Sequence, residues 1–278
     1  MGRLFRVPLL IVALTFTVCG SAAASQLIDR RADHVQLSVS TRGVAALTYT
    51  ARGVHKHVLA WGARDALAPT QARPQVKFRL DYSGGWGAFG RPLWQAPNAC
   101  RPYGGPKLPL LVAACTAPDG SFWAAQKWQR LTPMGSSAGV AELHLSHWTG
   151  MPASLDVHVD ARSSADILFG QYTYRGVPVH GFRWTRHGSP LDTYGRNVYV
   201  DTYGSAYGGG WHRENGFLAQ KPSGLFCYAL GPAHGKGTLY RATALGPGVT
   251  PIVSWVGRAQ PGATLGLTGL LVGASRLC

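Results

Sequence analysis

Glycine or proline interrupts nearly every window of this chain long enough to make a helix, and that punctuation decides the fold class before any motif is read. With 36 glycines and 18 prolines among 278 residues, a helical bundle would break repeatedly, and without a G-X-Y period collagen is excluded. Between the breakers lie runs that alternate with period two. Val35, Leu37 and Val39 fall on one face and Gln36, Ser38 and Ser40 on the other, followed by the turn Thr41-Arg42-Gly43. Runs from Val44 to Thr50 and from Val54 to Trp61 flank Ala51-Arg52-Gly53, so the chain opens as an antiparallel meander. Leu110 to Thr116, the turn Pro118-Asp119-Gly120 and Phe122 to Gln129 read as a hairpin. Further strands are expected at 142–148, 155–159, 167–174, 178–184, 198–203, 225–230, 238–243 and 252–256. The expected fold is all-β: a turn-rich, disulfide-containing antiparallel β-sandwich, either jelly-roll-like or made of two packed sandwich halves.

Arg3 and Arg6 precede a largely apolar run from Val7 to Val18, which ends in Gly20-Ser21-Ala22-Ala23-Ala24. Small residues at Ala22 and Ala24 suit cleavage, so residues 1–24 read as a secretory signal peptide and 25–278 as a secreted, extracellular protein. The run is too short for a spanning helix and no second one follows, so no stable membrane span is expected after cleavage. Cys19 leaves with the leader, and Cys100, Cys115, Cys227 and Cys278 form an even set in an oxidising compartment. Three connectivities are open; Cys100–Cys115 closes a local loop and Cys227–Cys278 pins the chain end, and that pairing is preferred. No C-x-x-C spacing supports a zinc site.

Only 14% of residues are charged and 46% are hydrophobic, which excludes a disordered chain. The balance is basic. The formal net charge is +15, and it is +13 once the leader removes two of the 27 basic residues and none of the 12 acids. Such an excess attracts polyanions, with extracellular polysaccharide as the expected partner; spread along the chain without a run, it also suits solubility alone.

The polar segment Arg162-Ser163-Ser164-Ala165 is a candidate boundary, making residues 25–278 either one unit or two halves, 25–165 and 166–278. An internal echo accompanies it. Tyr49-Thr50-x-Arg52-Gly53-Val54-x-x-His57-x-x-x-Trp61 recurs as Tyr172-Thr173-x-Arg175-Gly176-Val177-x-x-His180-x-x-x-Trp184. A duplicated half would explain the match, and so would a shared preference for Arg-Gly hairpin turns.

Chemistry concentrates between Asp192 and Asn215. If the strand begins at Val198, then Tyr199, Asp201 and Tyr203 point one way and Val198, Val200 and Thr202 the other. Together with Tyr207, Trp211, Arg213 and Glu214 they make a candidate binding surface, in which Trp211 could stack on a sugar ring. In a second reading Asp201 and Glu214 are the paired carboxylates of a glycoside hydrolase, with Asp192 as the spare acid. A third makes this an edge strand with a glycine turn at 208–210, its tyrosines half buried and its ions in local salt bridges. The loop Ser83-Gly84-Gly85-Trp86-Gly87-Ala88-Phe89-Gly90 could be a stacking platform, although plugging the open end of a sandwich is the simpler role.

His55 and His57 share a strand face, as do His158 and Asp160, but no metal-binding motif occurs and no metal is expected. Gly135-Ser136-Ser137-Ala138-Gly139 has the form G-x-S-x-G without the strand and helix a nucleophile elbow needs, so it reads as a Ser/Gly loop. Phosphate-binding loops are missing too, so no nucleotide or other cofactor is expected. The expected function is binding of an extracellular polymer, a glycan, acidic ones included, through aromatic and arginine side chains. A glycan hydrolase and a structural envelope protein without a small ligand are the alternatives.

Overall fold

The structure is a computed structural model that describes residues 25–67, 75–132, 135–161, 166–178, 183–184, 190–191, 198–221, 223–230, 237–246, 248–260 and 276–277. Four larger antiparallel sheets and one two-stranded ribbon hold the strands of the described residues. The first runs in chain order through Ala32–Val39, Ala45–Ala51, Val54–Trp61 and Arg79–Asp81. The second has the spatial order Gln26–Arg30, Gly139–Trp148, Phe122–Leu131, Leu111–Thr116, Arg101–Pro102. Ala153–Asp160, Ile167–Tyr174, Leu225–Leu230 and Gly216–Gln220 make the third, with Val177–Pro178 beside Ile167–Tyr174. Gly208–Arg213, Val198–Ser205, Leu239–Ala244 and Val253–Gly257 make the fourth. A two-residue ribbon joins Arg183–Trp184 to Pro190–Leu191. The all-β expectation holds, and among the described residues no helix is long and apolar enough to cross a membrane.

Period-two alternation builds two sandwiches from these sheets. Leu47, Tyr49 and Val58 of the first sheet meet Trp123, Ala125, Leu143 and Leu145 of the second in one core. Val157, Leu168, Tyr172, Phe226 and Tyr228 of the third meet Val198, Val200, Tyr240 and Ala242 of the fourth in another. The second sheet is covered on both faces, because Ala124 and Trp148 join the other core and Trp128 packs on Tyr199 and Ile252. Chain from the second sandwich also threads back. Val249 lies in the first core, its carbonyl accepts from His147 N at 3.0 Å, and the Gln126 amide brackets Ile252 N and O at 2.9 and 3.0 Å.

Ala153–Asp160 pairs residue for residue with Ile167–Tyr174. The candidate boundary at 162–165 lies outside the described residues, and the chain passes from the second sheet to the third between Trp148 and Ala153. The echo has a local cause. Arg52-Gly53 and Arg175-Gly176 are both left-handed pairs, with φ of 53° and 76° and of 53° and 73°, as two-residue turns of the primed type require. Ahead of each turn a tyrosine, Tyr49 or Tyr172, fills a core. Cys100 and Cys115 form a disulfide. Cys227 is buried with Ile167, Phe169 and Leu225, and Leu277 packs on that cluster; Cys278 lies outside the described residues.

The loop after Asp81 does not plug a sandwich end as expected. It lies along the outer face of the first sheet, where Trp94 stacks on His57 at 3.7 Å, Gly85 sits over Leu59, and Phe89 meets Trp61 at 4.9 Å. His57, Leu59 and Trp61 alternate away from the core, so the sheet offers this loop an apolar outer stripe.

Candidate functional site

Antiparallel register places an arginine directly across from Asp201 on each neighbouring strand, Arg213 on one side and Arg241 on the other. Arg213 Nε donates to Oδ1 at 2.5 Å, and Arg241 Nε and Nη2 donate to Oδ2 at 3.0 and 2.8 Å. Asp201 and Arg213 are wholly buried, whereas the Arg241 side chain is 26% exposed. The Arg213 guanidinium lies 4.6 Å from the Tyr199 ring and 5.5 Å from Trp128 of the second sheet. Arg130 approaches the same two rings from its own sheet, at 5.5 and 5.4 Å. Glu142 faces Arg130 and Arg30 at 3.3 and 3.1 Å. Burial opposes ionisation of Glu142, but His144, Arg130 and Arg30 outweigh it and hold the carboxyl below its usual range. Two arginines from opposing sheets thus enclose an aromatic pair, each with a carboxylate of its own sheet behind it.

Toward solvent the same face opens. Arg241 lies 4.4 Å over Trp211, whose ring meets Tyr203 edge-on at 5.5 Å, and Tyr203 is 42% exposed. Beside them runs a cleft of about 470 Å³ with Lys127, Trp128 and Gln129 of the second sheet on one wall and Arg241, Thr243 and Ser254 on the other. Lys127 is also paired with Asp33.

The expected binding residues therefore divide. Tyr203, Tyr207 and Trp211 are accessible, while Tyr199, Asp201, Arg213 and Glu214 are interior. Asp192 lies outside the described residues. Of the two carboxylates paired in the second reading, Asp201 is held by Arg213 and Arg241. Glu214 takes a hydrogen bond from Thr202 Oγ1 at 2.5 Å, and Thr202 faces the opposite side of the strand from Asp201. Both acids are fully buried. Burial, with the Asp201 charge nearby, pushes the Glu214 carboxyl up to about 6.

Gly208–Arg213 is an edge strand, and the edge is closed by the Ser/Gly loop. Gly135 N donates to Arg213 O at 2.8 Å, Arg213 N to Ser136 O at 3.2 Å, and His212 Nδ1 lies 2.7 Å from Gly135 O. The loop supplies backbone pairing at the Arg213 end of this edge. His147 is likewise internal, with Nδ1 donating to Ala63 O at 2.6 Å and Nε2 2.8 Å from Ser121 Oγ, and burial pushes it down to about 4. Among the described residues no three metal-ligating side chains cluster.

Sequence reasoning missed Arg241, Arg130, Trp128 and Glu142. Arg241 and Thr243 do alternate with Tyr240 and Ala242, a polar face visible in the sequence, but only the strand pairing shows that this face adjoins Asp201. No family model matches the chain, and neither the curated proteins nor the solved structures searched contain a match.

Proposed function

We propose that this is a secreted protein that binds an acidic extracellular glycan on the face formed by Tyr203, Trp211 and Arg241, continuing into the cleft beside Trp128. The observation that carries the reading is the Arg241 guanidinium, fixed from behind by buried Asp201, stacked on Trp211 and still open to solvent. An arginine held in that way meets a carboxylate or sulfate with little conformational entropy left to lose, while the rings beside it accept the apolar face of a sugar. The basic excess of the whole chain favours an acidic polymer over a neutral one. Buried Asp201 and Glu214 favour binding without hydrolysis.

Calorimetric titration with acidic and neutral polysaccharides tests the reading. Acidic chains should bind and weaken steeply as salt rises. Trp211→Ala should lower affinity about fivefold or more, the equivalent of about 1 kcal/mol for a lost stacking platform. Binding that ignores both salt and Trp211 would refute it.

A further inference from the structure

The loop on the first sheet presents a chemically different surface. Asp81 organises it: Oδ1 accepts from Ser83 N at 2.8 Å and from Ser83 Oγ, and Oδ2 accepts from Ala88 N at 2.9 Å. Gly85, with φ of 116°, lies so close to Arg91 O and Leu93 N that a Cβ there would fall 2.4 and 2.7 Å from them. The chain is thereby locked into a single helical turn, Trp86–Phe89.

That turn displays apolar rings. Trp86 is 61% exposed and Phe89 38%, three residues apart and therefore on one side of the turn. Phe89 rests on Trp61, which has Arg79 directly across the strand pair. Phe89 also shares a cleft of about 270 Å³ with Arg42 and Arg91. Among the described residues none of Arg42, Arg79 and Arg91 has an ion-pair partner. Asp81, the acid adjoining the loop, turns both oxygens inward to the loop's own hydrogen-bond donors. The tip thus sets exposed rings beside exposed cations that no acid among the described residues pairs with.

We propose that Trp86, Phe89 and Trp61, flanked by Arg42, Arg79 and Arg91, dock the protein on an anionic lipid surface. Aromatic rings settle at headgroup depth, and guanidinium groups around them face lipid phosphates. Attachment of this kind is peripheral and reversible. It uses a different part of the molecule from the glycan face and does not depend on that reading.

Sedimentation of the full secreted chain with phosphatidylcholine vesicles, with and without phosphatidylglycerol at about a third of the lipid, tests the proposal. Binding is expected only with the anionic lipid. Trp86→Ser combined with Phe89→Ser should lower partitioning about tenfold or more, as loss of two interfacial rings implies. Arg42→Gln and Arg91→Gln should each lower it about fivefold, an effect that shrinks at high salt. Trp86→Phe, which keeps a ring, should retain most of the binding. The double serine variant should bind acidic polysaccharide as before, which keeps the two surfaces apart. Equal binding to both vesicles or unchanged partitioning of the serine variant would each overturn the proposal.

Discussion

Two regions of this molecule use the same residue types to opposite ends. Between the sandwiches, Arg130 and Arg213 enclose Trp128 and Tyr199, and Glu142 and Asp201 stand behind them. On the first sheet, Arg42, Arg79 and Arg91 surround Trp61, Trp86 and Phe89 with no acid paired to them among the described residues. With 27 basic residues and 12 acids, most cations in this chain cannot be neutralised, so the position of each acid decides which arginines go inside. A buried guanidinium without a counter-charge costs several kcal/mol, whereas an exposed one costs almost nothing. The carboxylates, and not the aromatic rings, separate scaffold from surface.

The largest effect should come from Asp201→Asn, which leaves Arg213 buried without its charge partner. Unfolding in urea should show a loss of about 3–5 kcal/mol, the usual result of breaking one side of a buried pair. Glu142→Gln should cost less, about 1.5–3 kcal/mol, because Arg30 is half exposed and Arg130, unlike Arg213, still reaches water. A cost below about 1 kcal/mol at Asp201 would break the comparison, since the pair would then be no more than a surface bridge.

Glu214 sharpens the contrast, for burial raises its carboxyl where His144, Arg130 and Arg30 hold that of Glu142 down. Its proton is held more tightly folded than unfolded. The associated stability is complete below the ordinary carboxyl value of 4.5 and is lost as pH climbs toward about 6. At neutral pH the loss amounts to about 2 kcal/mol. Glu214→Gln should therefore be more stable than the parent by about 2 kcal/mol at neutral pH and equal to it near the unshifted carboxyl value. His147 gives the opposite slope, stability falling as pH drops from 6.5 toward about 4. It is common to both proteins and cancels in the difference. An unchanged difference across that range would show that the Glu214 carboxyl holds its proton no more tightly folded than unfolded.

Much of the fold was legible because strand alternation is local. Val54–Trp61, Ile167–Tyr174 and Leu225–Leu230 have the bounds that their alternation and flanking turns suggest. Gly208–Arg213 reads as a glycine turn but is a strand, since its pairing depends on Val198–Ser205 and on the docked Gly135–Ser136 loop. Gln26–Arg30 lacks clear alternation and is specified by its partner Gly139–Trp148. The site was half legible for a related reason. The aromatic and ionic face of Tyr199, Asp201 and Tyr203 follows from period two, and local salt bridges of unspecified partners are among its readings; the structure supplies the pair, Asp201 with Arg213. Which residues of distant strands complete that face is a matter of register and sheet stacking, and neither is written in a single segment.

The smallest expected effect is the most direct test of the exposed region. Arg42→Gln, Arg79→Gln and Arg91→Gln should each change unfolding stability by no more than about 0.5 kcal/mol, the usual range for surface substitutions without a partner. Gln keeps most of the aliphatic stem, so packing against Phe89 and Trp61 should survive while the charge is lost. Combined, the three changes should add, because none shares a counter-ion with another. A slight gain is also consistent, since removing three like charges from a strongly basic chain relieves self-repulsion. The same Arg→Gln change at Arg213 would remove a buried partner of Asp201, so the two regions should differ several-fold in cost for one chemical change. If any of the three exposed arginines proves to cost as much as Arg213, it is held by the fold, and the division of arginines by their acids is wrong.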